Sequence, residues 1–265
     1  MNEPKKKFKI VTDTRARVIL PNTLTLIGVC IGLSSINFAL NQNFKLAIVA
    51  ILFAAIIDGL DGRIARLIKG TSKVGKELDS LTDVISFGVA PAFIMYFWIL
   101  NSLGKIGWLL SLMHVIWVAL RLARFNINTN SDSSWKDNFF EGVPSPAGGI
   151  LVLSPLIYDV SEIGILSLNY QFITPVIFVL TSILLISKIP TYSFKKIIVP
   201  RSSTVFLLFG IVLLFGLLLI FTFKALFIGC LIYILVIPVS IIHYKKLKKI
   251  FVNDNKYEEE PEDVL

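Results

Sequence analysis

The stretch FKLAIVAILFAAIIDGLDGRIARL, residues 44–67, decides in which solvent this chain folds. Phe44 to Ile57 is apolar apart from Lys45, and Asp58 to Leu67 places acids, glycines and arginines among apolar residues at helical spacing. One helix is predicted, its first half in hydrocarbon and its second half running out into the membrane interface. Outward from it the pattern repeats: a short polar gap, then the apolar run 79–101, with others further on such as Ile211 to Phe221 and Ala225 to Ile242. About 20 mostly apolar residues are needed for a helix to cross the hydrocarbon core. In lipid every backbone polar group must be paired internally, which leaves helices or closed barrels. Continuous rather than alternating apolar runs select helices.

Composition agrees. The chain is 55% hydrophobic with 20 Phe and a mean hydropathy of +0.76, above the roughly 45–50% apolar content of soluble domains. We read an all-α, polytopic membrane helical bundle of about eight transmembrane helices, at 19–40, 44–68, 79–101, 106–126, 145–160, 171–189, 203–221 and 225–243. Residues 1–18 precede this membrane domain (19–243), and 244–265 form an acidic-ended, disordered tail. The loop from Asn128 to Val143 is polar, but its Trp135, Phe139 and Phe140 suit a membrane surface.

An even number of spans puts both termini on one side. Of the 26 Lys and Arg, all but Lys45, Lys105 and Lys224 then fall on that side. The positive-inside rule makes it the cytoplasmic face of the cell (inner) membrane. The net charge of +8 is thus explained by anionic headgroups, with no need for nucleic acid. No cleavable signal peptide is expected, because the first apolar run starts late and lacks a small-residue cleavage site.

The chemistry lies where the second and third spans meet the interface. Asp58 and Asp61 are three residues apart, and Asp79 and Asp83 four apart. Both spacings put side chains on one helix face, and both pairs sit at the cytoplasmic end of their span. Four acids at one depth repel one another, and each costs up to roughly 2.5–3.5 kcal/mol in the bilayer, less near the interface. Oxygen-only donors suit a hard cation, Mg²⁺ or Mn²⁺, and a pair of such ions stabilises phosphoryl displacement. Gly62 lets a phosphate or nucleotide approach the backbone, Ala65 keeps the same face open, and Arg66 can bind a phosphate oxygen.

The pattern D-x-x-D-G-x-x-A-R, eight residues, G-x-x-x-D-x-x-x-D resembles the signature of the CDP-alcohol phosphotransferases. Asp58, Asp61, Gly62, Ala65, Arg66, Gly75, Asp79 and Asp83 meet all its specified positions. The resemblance implies a six-helix core with two added C-terminal helices, a homodimer, and metals on the first three aspartates that hold the CDP diphosphate. It further implies a nucleotide pocket of Gly62, Ala65, Arg66 and Gly75, and Asp83 as general base, counted with the other three among the candidate metal ligands. The flanks 78–92, 120–126 and 142–147, and Pro21-Asn22-Thr23-Leu24-Thr25, are similar to the bacterial and archaeal membrane-bound phosphatidylserine synthase branch. That branch implies CDP-diacylglycerol and L-serine as substrates. The paired H-x-K motifs of the phospholipase-D-like synthases are absent.

Arg121 and Arg124, three apart, could take a lipid phosphate or the carboxylate of serine, and Asn126 its amine or hydroxyl; a headgroup-snorkelling anchor is the alternative. Cys30 and Cys230 read as buried thiols, and His114 and His243 as structural. Three rival functions follow from the same residues. A sister enzyme with a phosphorylated acceptor such as glycerol 3-phosphate or an inositol phosphate should carry more basic residues. A cation-coupled transporter would use intramembrane acids, but with repeats and broken midplane helices. An inert scaffold would not need the complete motif.

Overall fold

The computed structural model describes residues 14–68, 70–127, 139–164, 169–193 and 204–258. The expectations for Trp135, for residues 1–13 and for the end of the tail (259–265) lie outside the described residues. The chain divides into two compact units, Met1–Leu122 and Ala123–Leu265.

In the first unit, α1 (Thr14–Leu40) and α2 (Phe44–Leu67) form an antiparallel pair joined at Asn41–Asn43. The side chain of Asn43 caps α2 by accepting from the Leu46 N–H. Small residues let the pair close: Ala47, Ala50 and Ala54 on α2 are buried with Ile48 and Ile51. Next come α3 (Lys73–Asp83), a π-helical turn (Val84–Val89) and α4 (Ala90–Trp98), which run as one apolar rod. Ser72 caps α3 through a 2.9 Å bond from the Gly75 N–H. The π turn has a cause in the sequence. Pro91 has no N–H to give the Phe87 carbonyl, as an α-helix would require. The Ala90 N–H instead reaches back to Ile85, and the ring of His114 lies 3.2 Å from the Phe87 carbonyl. His114 belongs to α5 (Lys105–Ile127), whose Gly107, Ser111, His114, Val118 and Arg121 form one buried stripe.

Within the second unit, α6 (Ser145–Val152) and α7 (Ser154–Ser161) stand where one span is predicted over 145–160. The break at Leu153 follows from Pro155, whose ring would clash with the carbonyl of Leu151 in a continuous helix. α8 (Tyr170–Ile186), α9 (Thr204–Ile220) and α10 (Thr222–Glu258) follow. Gly148 of α6 lies against Leu185 of α8, and Tyr158 of α7 against Phe227 of α10 with ring centroids 4.9 Å apart. The Asn128–Val143 segment, read as a loop, ends in a strand: β1 (Phe139–Glu141) pairs antiparallel with β2 (Pro190–Tyr192). Phe139 stacks on Tyr192, whose hydroxyl lies 2.9 Å from Nδ1 of His243. α10 continues to Glu258, into the segment that the sequence reading assigns to the tail. Lys245 to Lys249, KKLKK, are good helix formers on an existing helix, where propagation is cheaper than nucleation.

Among the described residues, four helical segments are long and apolar enough to cross a membrane: Arg17–Leu40, Lys73–Trp98, Lys105–Ile127 and Thr222–Lys249. Tyr170–Ile186 is apolar but shorter. Large apolar side chains stay outside, with Phe206 79% exposed on α9 and Leu235 70% exposed on α10. That is the surface of a multi-pass membrane protein, whose lipid contacts take the place of an aqueous shell.

Candidate active site

The site lies wholly in the first unit, where the C-terminal half of α2 faces the start of α3. Asp58, Asp61 and Asp79 each offer a carboxylate oxygen, and these atoms lie within 4.8 Å of one another. The i, i+3 spacing on α2 supplies two of them from one face. Asp61 is 3% exposed. Its Oδ2 accepts a 2.6 Å hydrogen bond from the hydroxyl of Thr25 on α1. Asp58 stands within hydrogen-bonding reach of both Asp79 and Asp83. Asp83 neighbours Asp58 but is not part of the group of three. The Arg66 guanidinium is close enough to Asp79 to act on its charge.

Oxygen donors from three carboxylates, one of them buried, are the chemistry of a hard divalent cation site. Left to themselves they would repel, and a cation between them removes that cost. The donor set therefore fits such an ion.

A cavity of about 520 Å³ opens beside the acids. Its lining includes Asp61, Asp79, Gly62, Ala65, Arg66 and Gly75, together with Pro21, Asn22 and Thr25 of α1 and Lys73 and Lys76 of α3. Volumes of roughly 300–1,000 Å³ are usual for small-molecule sites. A Cβ on Gly62 would meet nothing within 4 Å, so the glycine leaves its backbone face open. At Gly75 a Cβ would lie 2.8 Å from Oδ1 of Asn22, so a larger residue would have to turn that side chain.

Of the second cluster, Arg121 shares the first unit with this cavity and is not in its lining. Arg121 is buried in the inward stripe of α5. Arg124 and Asn126 follow in the second unit, where the Arg124 guanidinium donates a 2.7 Å bond to the carbonyl of Ile186. A cation on the last turn of α8 satisfies a carbonyl that the helix cannot. His114 is structural in the sense given above, and Cys30 is an exposed and Cys230 a buried free thiol. Sequence reading assigned no role to Thr25 or Asn22. The signal available was the Pro21–Thr25 stretch, noted for its resemblance alone.

The profile of the CDP-alcohol phosphatidyltransferase family matches residues 18–242. A Mycobacterium leprae CDP-diacylglycerol–serine O-phosphatidyltransferase is 41% identical over 193 residues, covering 69% of this chain and 61% of its own. The Helicobacter pylori protein of the same name is 40% identical over 179 residues, covering 68% and 74%. That of Bacillus subtilis is 34% identical over 180 residues, covering 67% and 92%. The match thus spans about three fifths of the length of the Mycobacterium leprae relative.

Proposed function

The chain belongs to the CDP-alcohol phosphatidyltransferase family, and we propose that it transfers the phosphatidyl group of CDP-diacylglycerol to the hydroxyl of L-serine, giving phosphatidylserine and CMP. The convergence of Asp58, Asp61 and Asp79 beside an open cavity carries the reading. The names of the relatives above support serine as acceptor.

Asp58, Asp61 and Asp79 would hold two divalent ions, Mg²⁺ or Mn²⁺. When bound, such ions neutralise charge on the diphosphate and on the departing CMP. Gly62 and Ala65 leave the α2 backbone open to the nucleotide, and Arg66 supplies a guanidinium for a phosphate oxygen. Asp83 takes the proton from the serine hydroxyl, whose oxygen attacks the phosphorus that bears the diacylglycerol. The bond between that phosphorus and the CMP oxygen breaks, and its electron pair leaves with CMP. The site belongs at the cytoplasmic face of the inner membrane in an eight-span, homodimeric arrangement, where soluble serine and a membrane lipid can meet. The basic side of the chain supports that orientation.

One observation favours a second reading. Lys73, Lys76 and Arg66 all line the cavity, and three cations would suit a phosphorylated acceptor such as glycerol 3-phosphate. The same cations serve equally for the phosphates of the nucleotide. Incorporation of labelled serine tests the choice. Purified protein given CDP-diacylglycerol, Mn²⁺ and labelled serine should produce label that extracts into chloroform as phosphatidylserine. Label that stays wholly in the aqueous phase, while labelled glycerol 3-phosphate enters lipid, would select the second reading.

A further inference from the structure

Thr25 is buried beside Asp61, and nothing in the reaction above uses it. Its side chain is 5% exposed, yet it lines the same cavity as the acids. Its hydroxyl oxygen has two acceptors in range: the Pro21 carbonyl at 3.0 Å and Oδ2 of Asp61 at 2.6 Å. A hydroxyl has a single hydrogen to give. The Pro21 bond is the ordinary back-bond of a helical threonine, made inside its own turn. The Asp61 bond joins two helices across 36 positions of sequence, and its length is that of a charge-assisted O–H···O⁻ bond.

We propose that Thr25 is a positioning residue that holds Oδ2 of Asp61 on the α1 side and thereby turns the carboxylate's other oxygen toward the point shared with Asp58 and Asp79. The inference rests on the divalent-cation reading of those three acids. A carboxylate on a helix rotates about two side-chain bonds, and Asp61 must stop at the one setting that serves the ion. Thr25 fixes that setting from a different helix, so α1 contributes to the ion's affinity without touching it. The local packing lets α1 come this close. Gly28 lies one turn after Thr25, and Gly32 one turn further; a Cβ on Gly28 would stand 3.6 Å from Thr82 of α3, and one on Gly32 would be 2.5 Å from Ser86 Oγ. Outer-shell partners of this kind typically change metal affinity about 10–100-fold when removed.

Mn²⁺ is the probe, because free and bound Mn²⁺ differ in electron paramagnetic resonance and affinity can be read without turnover. Full-length protein in detergent would be titrated as parent, Thr25→Ser and Thr25→Val. Valine keeps the volume and the methyl packing but loses the hydroxyl. Serine keeps the hydroxyl and loses the methyl. The proposal expects Thr25→Val to weaken Mn²⁺ binding by about tenfold or more, and Thr25→Ser to stay within about threefold of parent. A matching rise in the Mn²⁺ concentration for half-maximal activity, with maximal rate at saturating Mn²⁺ largely recovered, is the accompanying kinetic sign. Thermal unfolding of each apo protein controls for folding. Equal Mn²⁺ affinity in Thr25→Val and parent would overturn the inference and leave the metal reading standing. Equal weakening in both variants would also overturn it, by assigning the effect to the methyl. A parent that binds no Mn²⁺ would overturn the metal reading, and the inference with it.

Discussion

Replacing Gly32 by alanine tests the closest approach between α1 and the rod that carries Asp79 and Asp83. The new Cβ would lie 2.5 Å from Oγ of Ser86 and 3.1 Å from both its Cα and Cβ. Rotation of Ser86 can move Oγ away, at the loss of its 3.4 Å bond to the Gly28 carbonyl. Rotation cannot move Cα. The two helices must therefore separate by a few tenths of an ångström, since carbon atoms pack best at about 3.5–4.0 Å. Overpacking of this kind typically costs about 1–3 kcal/mol. At roughly 2–4 °C per kcal/mol for a chain of this size, the apparent Tm in detergent should fall by about 2–12 °C. Ser86→Ala removes the shortest contact, so in the Gly32→Ala background it should restore part of the loss, with a coupling of about 0.5–3 kcal/mol. Thermal unfolding of the four proteins in one detergent completes the cycle. An unchanged Tm for Gly32→Ala, or strictly additive effects of the two substitutions, would refute the close approach.

Asp58→Asn, Asp61→Asn and Asp79→Asn should each abolish most phosphatidyl transfer while leaving the protein folded, and EDTA should silence the parent until Mg²⁺ or Mn²⁺ is restored; robust activity in excess EDTA would exclude the metal. His114→Leu removes the side-chain donor to the Phe87 carbonyl and should destabilise by about 1–3 kcal/mol, whereas His114→Gln, which keeps an N–H donor, should lose less; equal stability of the two would show that the bond contributes nothing. For topology, single cysteines placed at Ser72 and at Asn101 in a background lacking Cys30 and Cys230 should label from opposite sides of the membrane, Ser72 from the cytoplasm. Labelling of both from one side would undo the predicted orientation.

The long apolar helices and the spacing of the acids were legible in the sequence because each is a local pattern. Hydropathy announces a span, and spacings of three and four put Asp58 with Asp61 and Asp79 with Asp83 on single helix faces. Features that depend on contacts between elements were harder to read. Thr25 lies 36 positions from Asp61, and no periodicity connects them. The break at Leu153 was visible in principle through Pro155, but the apolar run around it reads as one span. Pro91 hides in the same way inside an apolar run, and the π turn before it becomes evident only in the fold, where the His114 ring lies beside the Phe87 carbonyl. Arg124 likewise makes a contact that spacing could not show, a bond to the Ile186 carbonyl 62 positions away. The β1–β2 ribbon is too short, at three residues a strand, to leave a strand pattern.

The most direct measurement is release of CMP from CDP-diacylglycerol by the purified protein, with serine, glycerol 3-phosphate and an inositol phosphate offered in turn. The account predicts CMP release that needs a divalent ion and is fastest with serine. Faster release with glycerol 3-phosphate would contradict the acceptor, and no CMP release with any acceptor would contradict the phosphatidyl transfer itself.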